Sequence, residues 1–80
     1  MPLVEVDKKV ETFDRHRGRL FGIAYRMLGS RDEEDVLQEA YIRWHTADAG
    51  EIETAEAWLV TVVTRLSIDR LRKASVTRET

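Results

Sequence analysis

Residues Glu34 to Trp44 carry two helical stripes at once. Val36, Leu37, Ala40, Tyr41 and Trp44 recur at the spacing that buries one side of an α-helix. Asp35, Gln38, Glu39 and Ile42 fall at i, i+3, i+4 and i+7 on a neighbouring side. A helix whose outer side only met water would fill that side with Glu and Lys. Here a carboxylate, an amide, a second carboxylate and a bare isoleucine share one row, which suits docking against another protein. The plainer reading is that the acids Asp32 to Asp35 favour a helix N-terminus. It accounts for Asp32 and Glu33 better than for Gln38, Glu39 and Ile42.

No run in the chain alternates as a strand does, so the expected fold is all-α, a small helical bundle of three to four helices. The first helical region is expected from near Val4 to Lys8 as far as Leu28, with Pro2 outside any element. Val10, Phe13, Arg17, Leu20, Ala24, Met27 and Leu28 trace its buried stripe. Gly18 and Gly22 each weaken a helix by roughly 1 kcal/mol relative to alanine, so a bend or break is expected between Arg15 and Gly18. Gly29 suits the position just past a helix end. Ser30 with Glu33 three residues on reads as a capping box opening a second helix that ends between His45 and Ala47. A loop follows from Thr46 to Glu53, and Glu53 or Thr54 would cap a third helix.

That third helix would bury Ala55, Trp58, Leu59, Val62, Val63 and Leu66 and fray after Lys73. Its β-branched run from Val60 to Thr64 has modest helix propensity, so packing must hold it. The expected core unites Phe13, Leu20, Ala24, Leu28, Val36, Leu37, Tyr41, Trp44, Trp58, Leu59, Val62 and Leu66.

Eighty residues allow one small domain, and the chain has no cysteine for a disulfide or a thiolate metal site. No apolar run approaches the roughly 18 residues of a membrane span, and Met1 to Val10 is too charged for a signal peptide. A cytoplasmic protein is expected. The net charge of −2 hides an asymmetry. Asp32 to Glu56 hold nine acids against Arg43 alone, whereas Val62 to Arg78 hold five bases against Asp69. A basic end on a mildly acidic chain points to a local polyanion contact, although bases near a helix C-terminus also complement its dipole.

The Glu34 to Trp44 stretch resembles region 2.2 of bacterial sigma factors, which contacts the clamp helices of RNA polymerase. Downstream, Ala57-Trp58-Leu59 continuing to Ile68-Asp69-Arg70-Leu71-Arg72 resembles the Trp-Leu…Asp-x-x-Arg helix of regions 2.3 and 2.4 in extracytoplasmic function (ECF) sigma factors. Upstream, Leu20-Phe21-Gly22-Ile23-Ala24-Tyr25-Arg26-Met27-Leu28-Gly29 is similar to their region 2.1. The three motifs stand in family order over roughly residues 10 to 73. The resemblance implies a sigma region 2-like domain over residues 1–73, with 74–80 as the start of an inter-domain linker or a tail. It implies that Asp35, Gln38, Glu39 and Ile42 bind core RNA polymerase. It further implies that the last helix meets the non-template strand of the promoter −10 element, with Thr61, Arg65, Arg72 and Lys73 as contacts. Flipped bases would enter a pocket formed by the His45 to Glu53 loop. An anti-sigma factor is a further partner of such proteins. Many ECF members carry asparagine where Arg65 stands.

A helical wheel independently sets Thr61, Thr64, Arg65, Ile68 and Arg72 on one side of the last helix, away from Trp58, Val62 and Leu66. Guanidinium forks match phosphate oxygens, and threonine donates or accepts beside them. Asp69 sits four residues from Arg65 and fits an intrahelical ion pair. Arg70 falls on the core side, where its stem can cover apolar neighbours. His16 and His45 lack the Cys or carboxylate company of a zinc site, so neither metal nor cofactor is expected. No nucleophile is paired with a base and no phosphate loop is present, which reads as a protein that is not an enzyme. The rival reading is a helical protein-interaction module, an adaptor or antitoxin, whose basic helix end is incidental.

Overall fold

In a computed structural model of the chain, three helices pack around one core. The structure describes the backbone of residues 2–29, 32–47 and 54–79, and the side chains of residues 8–29, 32–47 and 54–73. Helix α1 spans Pro2–Leu28, α2 spans Glu33–Thr46 and α3 spans Ala55–Glu79. All described residues are helical or lie at helix ends, as the lack of strand alternation requires.

Helix α1 runs unbroken through Gly18 and Gly22, without the break expected between Arg15 and Gly18. Space around both glycines is open, so neither marks a close approach. Phe13, Leu20 and Ala24 are buried on either side of Gly18, and their packing outweighs the local helix penalty. Arg17, expected on the buried stripe, is exposed. Pro2 is the first helical residue rather than outside, a position that needs no backbone N–H and suits its fixed φ. At the other end Gly29 adopts φ 79°, and its N–H donates to the Tyr25 carbonyl at 2.8 Å. Only glycine takes that conformation without strain, which makes it the stop signal its position implied.

Helix α2 opens without the expected capping box. Asp32 is the N-cap residue with no side-chain cap bond, and Glu33 is the first helical residue, not the third. Ser30 lies outside the described residues. Glu33 is only 6% exposed, and its burial at the positive end of α2 is favoured by the helix dipole. Helix α3 starts directly after Thr54, whose carbonyl accepts the Trp58 N–H at 3.0 Å. It continues to Glu79 instead of fraying after Lys73, since no glycine or proline stops it.

The core consists of Phe13, Leu20, Ala24, Val36, Leu37, Ala40, Trp44, Leu59, Val63 and Leu66. Leu28, Tyr41, Trp58 and Val62, expected inside it, pack against it half-buried. Val63 is fully buried where Val62 is not, so the inward stripe of α3 runs Leu59, Val63, Leu66, Ser67.

Contacts between helices fix their directions. Lys9 meets Trp44 and Phe13 meets Tyr41, so α1 and α2 run antiparallel. Trp44 meets Trp58 and Asp35 meets Arg70, so α2 and α3 do as well. One end of the bundle is closed by a reciprocal pair. The Trp44 Nε1–H donates to the Lys9 carbonyl at 2.9 Å. Lys9 Nζ donates back to the Trp44 carbonyl at 2.8 Å and the Ala47 carbonyl at 3.3 Å. The same ammonium lies 5.2 Å from the centre of the Trp44 ring, within cation–π range. Lys9 thus serves carbonyls that α2 cannot satisfy internally at its C-terminus.

Candidate functional site

Burying Val36, Leu37, Ala40 and Trp44 leaves the opposite side of α2 to solvent. Asp35, Gln38 and Ile42 are exposed there, and Glu39 is half-exposed. From Asp35 to Ile42 the row extends about 10 Å at 1.5 Å per residue. Ile42 has 57% of its surface uncovered. Scattered apolar residues on a surface are ordinary, but this one ends a polar row, one turn beyond Gln38 and Glu39. Glu39 Oε2 accepts a hydrogen bond from Arg43 Nη2 at 2.8 Å, an i, i+4 pair within α2. Asp35 leans toward α3, its Oδ2 3.6 Å from Arg70 Nη1. Gln38 makes no side-chain hydrogen bond among the described residues and borders a cleft between α1 and α2 floored by Phe13, Leu37 and Tyr41. The four residues therefore form one continuous row, with its acids partly neutralised by neighbours and its amide unengaged.

The second surface lies on α3. Thr61, Arg65, Ile68, Arg72 and Lys73 are exposed and Thr64 is half-buried. Thr61, Thr64, Arg65, Ile68 and Arg72 occupy the side of the helix turned away from Leu59, Val63 and Leu66, so the core stripe leaves both guanidinium groups outward. Lys73 follows Leu66 by two turns on the inner side and is nonetheless exposed. Arg65 and Asp69, expected to pair along the helix, form no ion pair among the described residues, and both are exposed. Arg65, Arg72 and Lys73 thus present their charge to solvent, in a geometry that suits an extended polyanion.

The loop expected to receive flipped bases falls mostly at residues 48–53, outside the described residues. His45 is part of α2, not of a loop, and its ring meets Tyr41 edge-on at 4.4 Å.

Two contributions escaped the sequence. Arg70, read as a cover for apolar neighbours, reaches Asp35 and also Asp32, whose Oδ1 lies 3.7 Å away. Its place on the core stripe, at the end of α3 opposite the acidic start of α2, was the available signal. Arg19 on α1 pairs with Glu56 on α3 at 2.6 Å, and nothing in their spacing announced it.

Comparison with known proteins adds the family. The model for Sigma-70 region 2 matches residues 12–77. The chain is 45% identical over 73 residues to the ECF RNA polymerase sigma factor SigJ of Mycobacterium tuberculosis, covering 90% of this chain and 23% of that protein. It is 40% identical over 65 residues to the probable ECF RNA polymerase sigma factor SigI of the same species, covering 80% of this chain and 22% of SigI. It is also 37% identical over 70 residues to the ECF RNA polymerase sigma factor SigW of Bacillus subtilis, covering 84% and 37% respectively. The chain thus spans about a quarter to a third of the length of these relatives. No solved structure gives a significant match.

Proposed function

The chain belongs to the Sigma-70 region 2 family, and from that membership we propose that it is the promoter-recognition domain of an ECF-type sigma factor. It binds core RNA polymerase through the clamp helices and engages the −10 element of the promoter. Asp35, Gln38, Glu39 and Ile42 form the polymerase contact. Thr61, Thr64, Arg65, Ile68, Arg72 and Lys73 form the contact to the non-template strand. Residues 1–73 make up the binding unit. Its work is binding without catalysis, in the cytoplasm where the polymerase acts, and an anti-sigma factor would compete for the same surfaces.

The observation that carries this reading is the exposed row on α2. An isoleucine with 57% of its surface uncovered, in one row with an amide and two carboxylates, offers a partner an apolar contact framed by polar groups. No observation favours an adaptor or antitoxin module, which has no use for the outward Arg65 and Arg72.

Arg65 and Arg72 are seven residues apart on α3, two helical turns, so both can follow one strand. In complex with core polymerase, Arg65→Ala and Arg72→Ala are each expected to weaken binding of a single-stranded −10 non-template oligonucleotide. Each should also reduce the slope of log affinity against log salt by about 0.7, the value for one single-strand phosphate contact. Oligonucleotide titrations at several salt concentrations measure both quantities. Affinity and slope unchanged in both variants would move the DNA contact to another surface.

A further inference from the structure

The inner stripe of α3 does not end in a hydrophobic residue. Leu59, Val63 and Leu66 lead to Arg70, which is charged, 33% exposed at its side chain, and aimed at the first turn of α2. That turn is crowded with acids: Asp32, Glu33, Glu34 and Asp35 follow one another. Arg70 Nη1 stands 3.7 Å from Asp32 Oδ1 and 3.6 Å from Asp35 Oδ2, so one guanidinium is shared by two carboxylates three residues apart. Like charges at that spacing on a helix repel, and the arginine between them removes the repulsion.

Both distances are those of loose ion pairs rather than tight hydrogen bonds, and Asp35 keeps 60% of its side chain exposed. Arg70 therefore holds the Asp35 carboxylate in place without consuming it. The outward oxygen remains free for a second cation. A side chain already ordered before contact binds more tightly than one that must be ordered on contact.

We infer that Arg70 is a positioning residue for polymerase docking, fixing the Asp35 carboxylate in the orientation that a cationic group of the polymerase meets. This rests on the assignment of the α2 row to the polymerase. It gives a core-side base of α3 a role separate from the outward bases of the same helix. Through it, the helix proposed to carry DNA contacts also shapes the polymerase contact.

The test is a double-mutant cycle, read as the affinity of the fluorescently labelled 80-residue chain for purified core RNA polymerase. Arg70→Met keeps the apolar stem and removes the charge. It is expected to weaken binding by about 3- to 10-fold, the scale of an exposed ion pair and one ordered side chain. Arg70→Lys keeps the charge and should recover most of that loss. Asp35→Asn should weaken binding by itself, and adding Arg70→Met to it should cost nothing further, because Arg70 acts only through Asp35. Helix content and melting temperature, recorded for each variant, identify a loss caused by misfolding. The inference is overturned if Arg70→Met binds as the unaltered chain does, if the two substitutions add independently, or if Arg70→Lys fails to recover affinity. If Asp35→Asn alone leaves affinity unchanged, the assignment of the α2 row fails first and this inference falls with it.

Discussion

Replacing Trp44 by alanine is expected to cost about 3 to 5 kcal/mol of folding stability, as large aromatic truncations in packed cores do. Trp44 is only 6% exposed and joins all three helices. It donates to Lys9 of α1 at 2.9 Å and lies 5.6 Å, centre to centre, from Trp58 of α3. Removing the indole empties space that the helices cannot close without moving. It also strips Lys9 of its ring contact at the α2 C-terminus. Small domains sit near the low end of the roughly 5 to 15 kcal/mol range of native stability. A loss of this size therefore brings the domain close to its unfolding midpoint in buffer. Urea unfolding followed by far-UV circular dichroism, with Trp58 fluorescence as a second probe, measures it. A variant within about 1 kcal/mol of the parent chain would mean that Trp44 is not the hub of the core.

The extent to which such contacts can be read from sequence differs by element. Helix α2 was legible because its inward and outward residues are chemically distinct and repeat over three turns. Its end at Thr46 and the stop at Gly29 also followed from residue type alone. Helix α1 misled at Gly18, where a local penalty was set against packing by residues at either side whose partners lay elsewhere in the chain. The same limit hid the Lys9 and Trp44 pair, 35 residues apart, and the Arg19 and Glu56 pair, 37 apart. Spacing within a helix says which residues share a side, but not which residue of another helix they meet. The capping box failed for a related reason: Ser30 and Glu33 have the right spacing, yet the helix begins at Glu33 itself, which cannot then stand at the third helical position that the box needs. The exposure of Asp35, Gln38 and Ile42 on α2 and of Thr61, Arg65, Ile68 and Arg72 on α3 was legible, since it follows from the core stripe opposite, whereas the half-burial of Glu39 and Thr64 was not.

Asp35→Ala and Gln38→Ala are expected to weaken binding to core RNA polymerase by about 2 to 5 kcal/mol each, the cost of leaving a desolvated charge or polar group unpaired at an interface. At about 1.4 kcal/mol per tenfold, that is a loss between roughly 30-fold and several thousand-fold. Both side chains are exposed in the free chain, so the fold has little to lose. The only described partner given up is Arg70, in a loose pair of an exposed carboxylate, worth at most about 1 kcal/mol. Helix content and melting temperature should therefore stay near those of the parent chain while affinity falls. Equilibrium titration of each variant against purified core polymerase reads the effect. Affinity retained in both would detach the row from the polymerase. Affinity lost together with helix content would show these residues supporting the fold instead.

Ile42 offers the most direct look at the interface, because it is the most exposed large apolar residue among the described residues and belongs to the row. A photo-crosslinking amino acid introduced at position 42 can be compared with one at Arg15, which is exposed on α1 away from both proposed surfaces. After mixing with core RNA polymerase and irradiation, position 42 is expected to give a covalent adduct that maps to the clamp helices, and position 15 none. The opposite pattern, or adducts of equal yield from both positions, would contradict polymerase docking through α2.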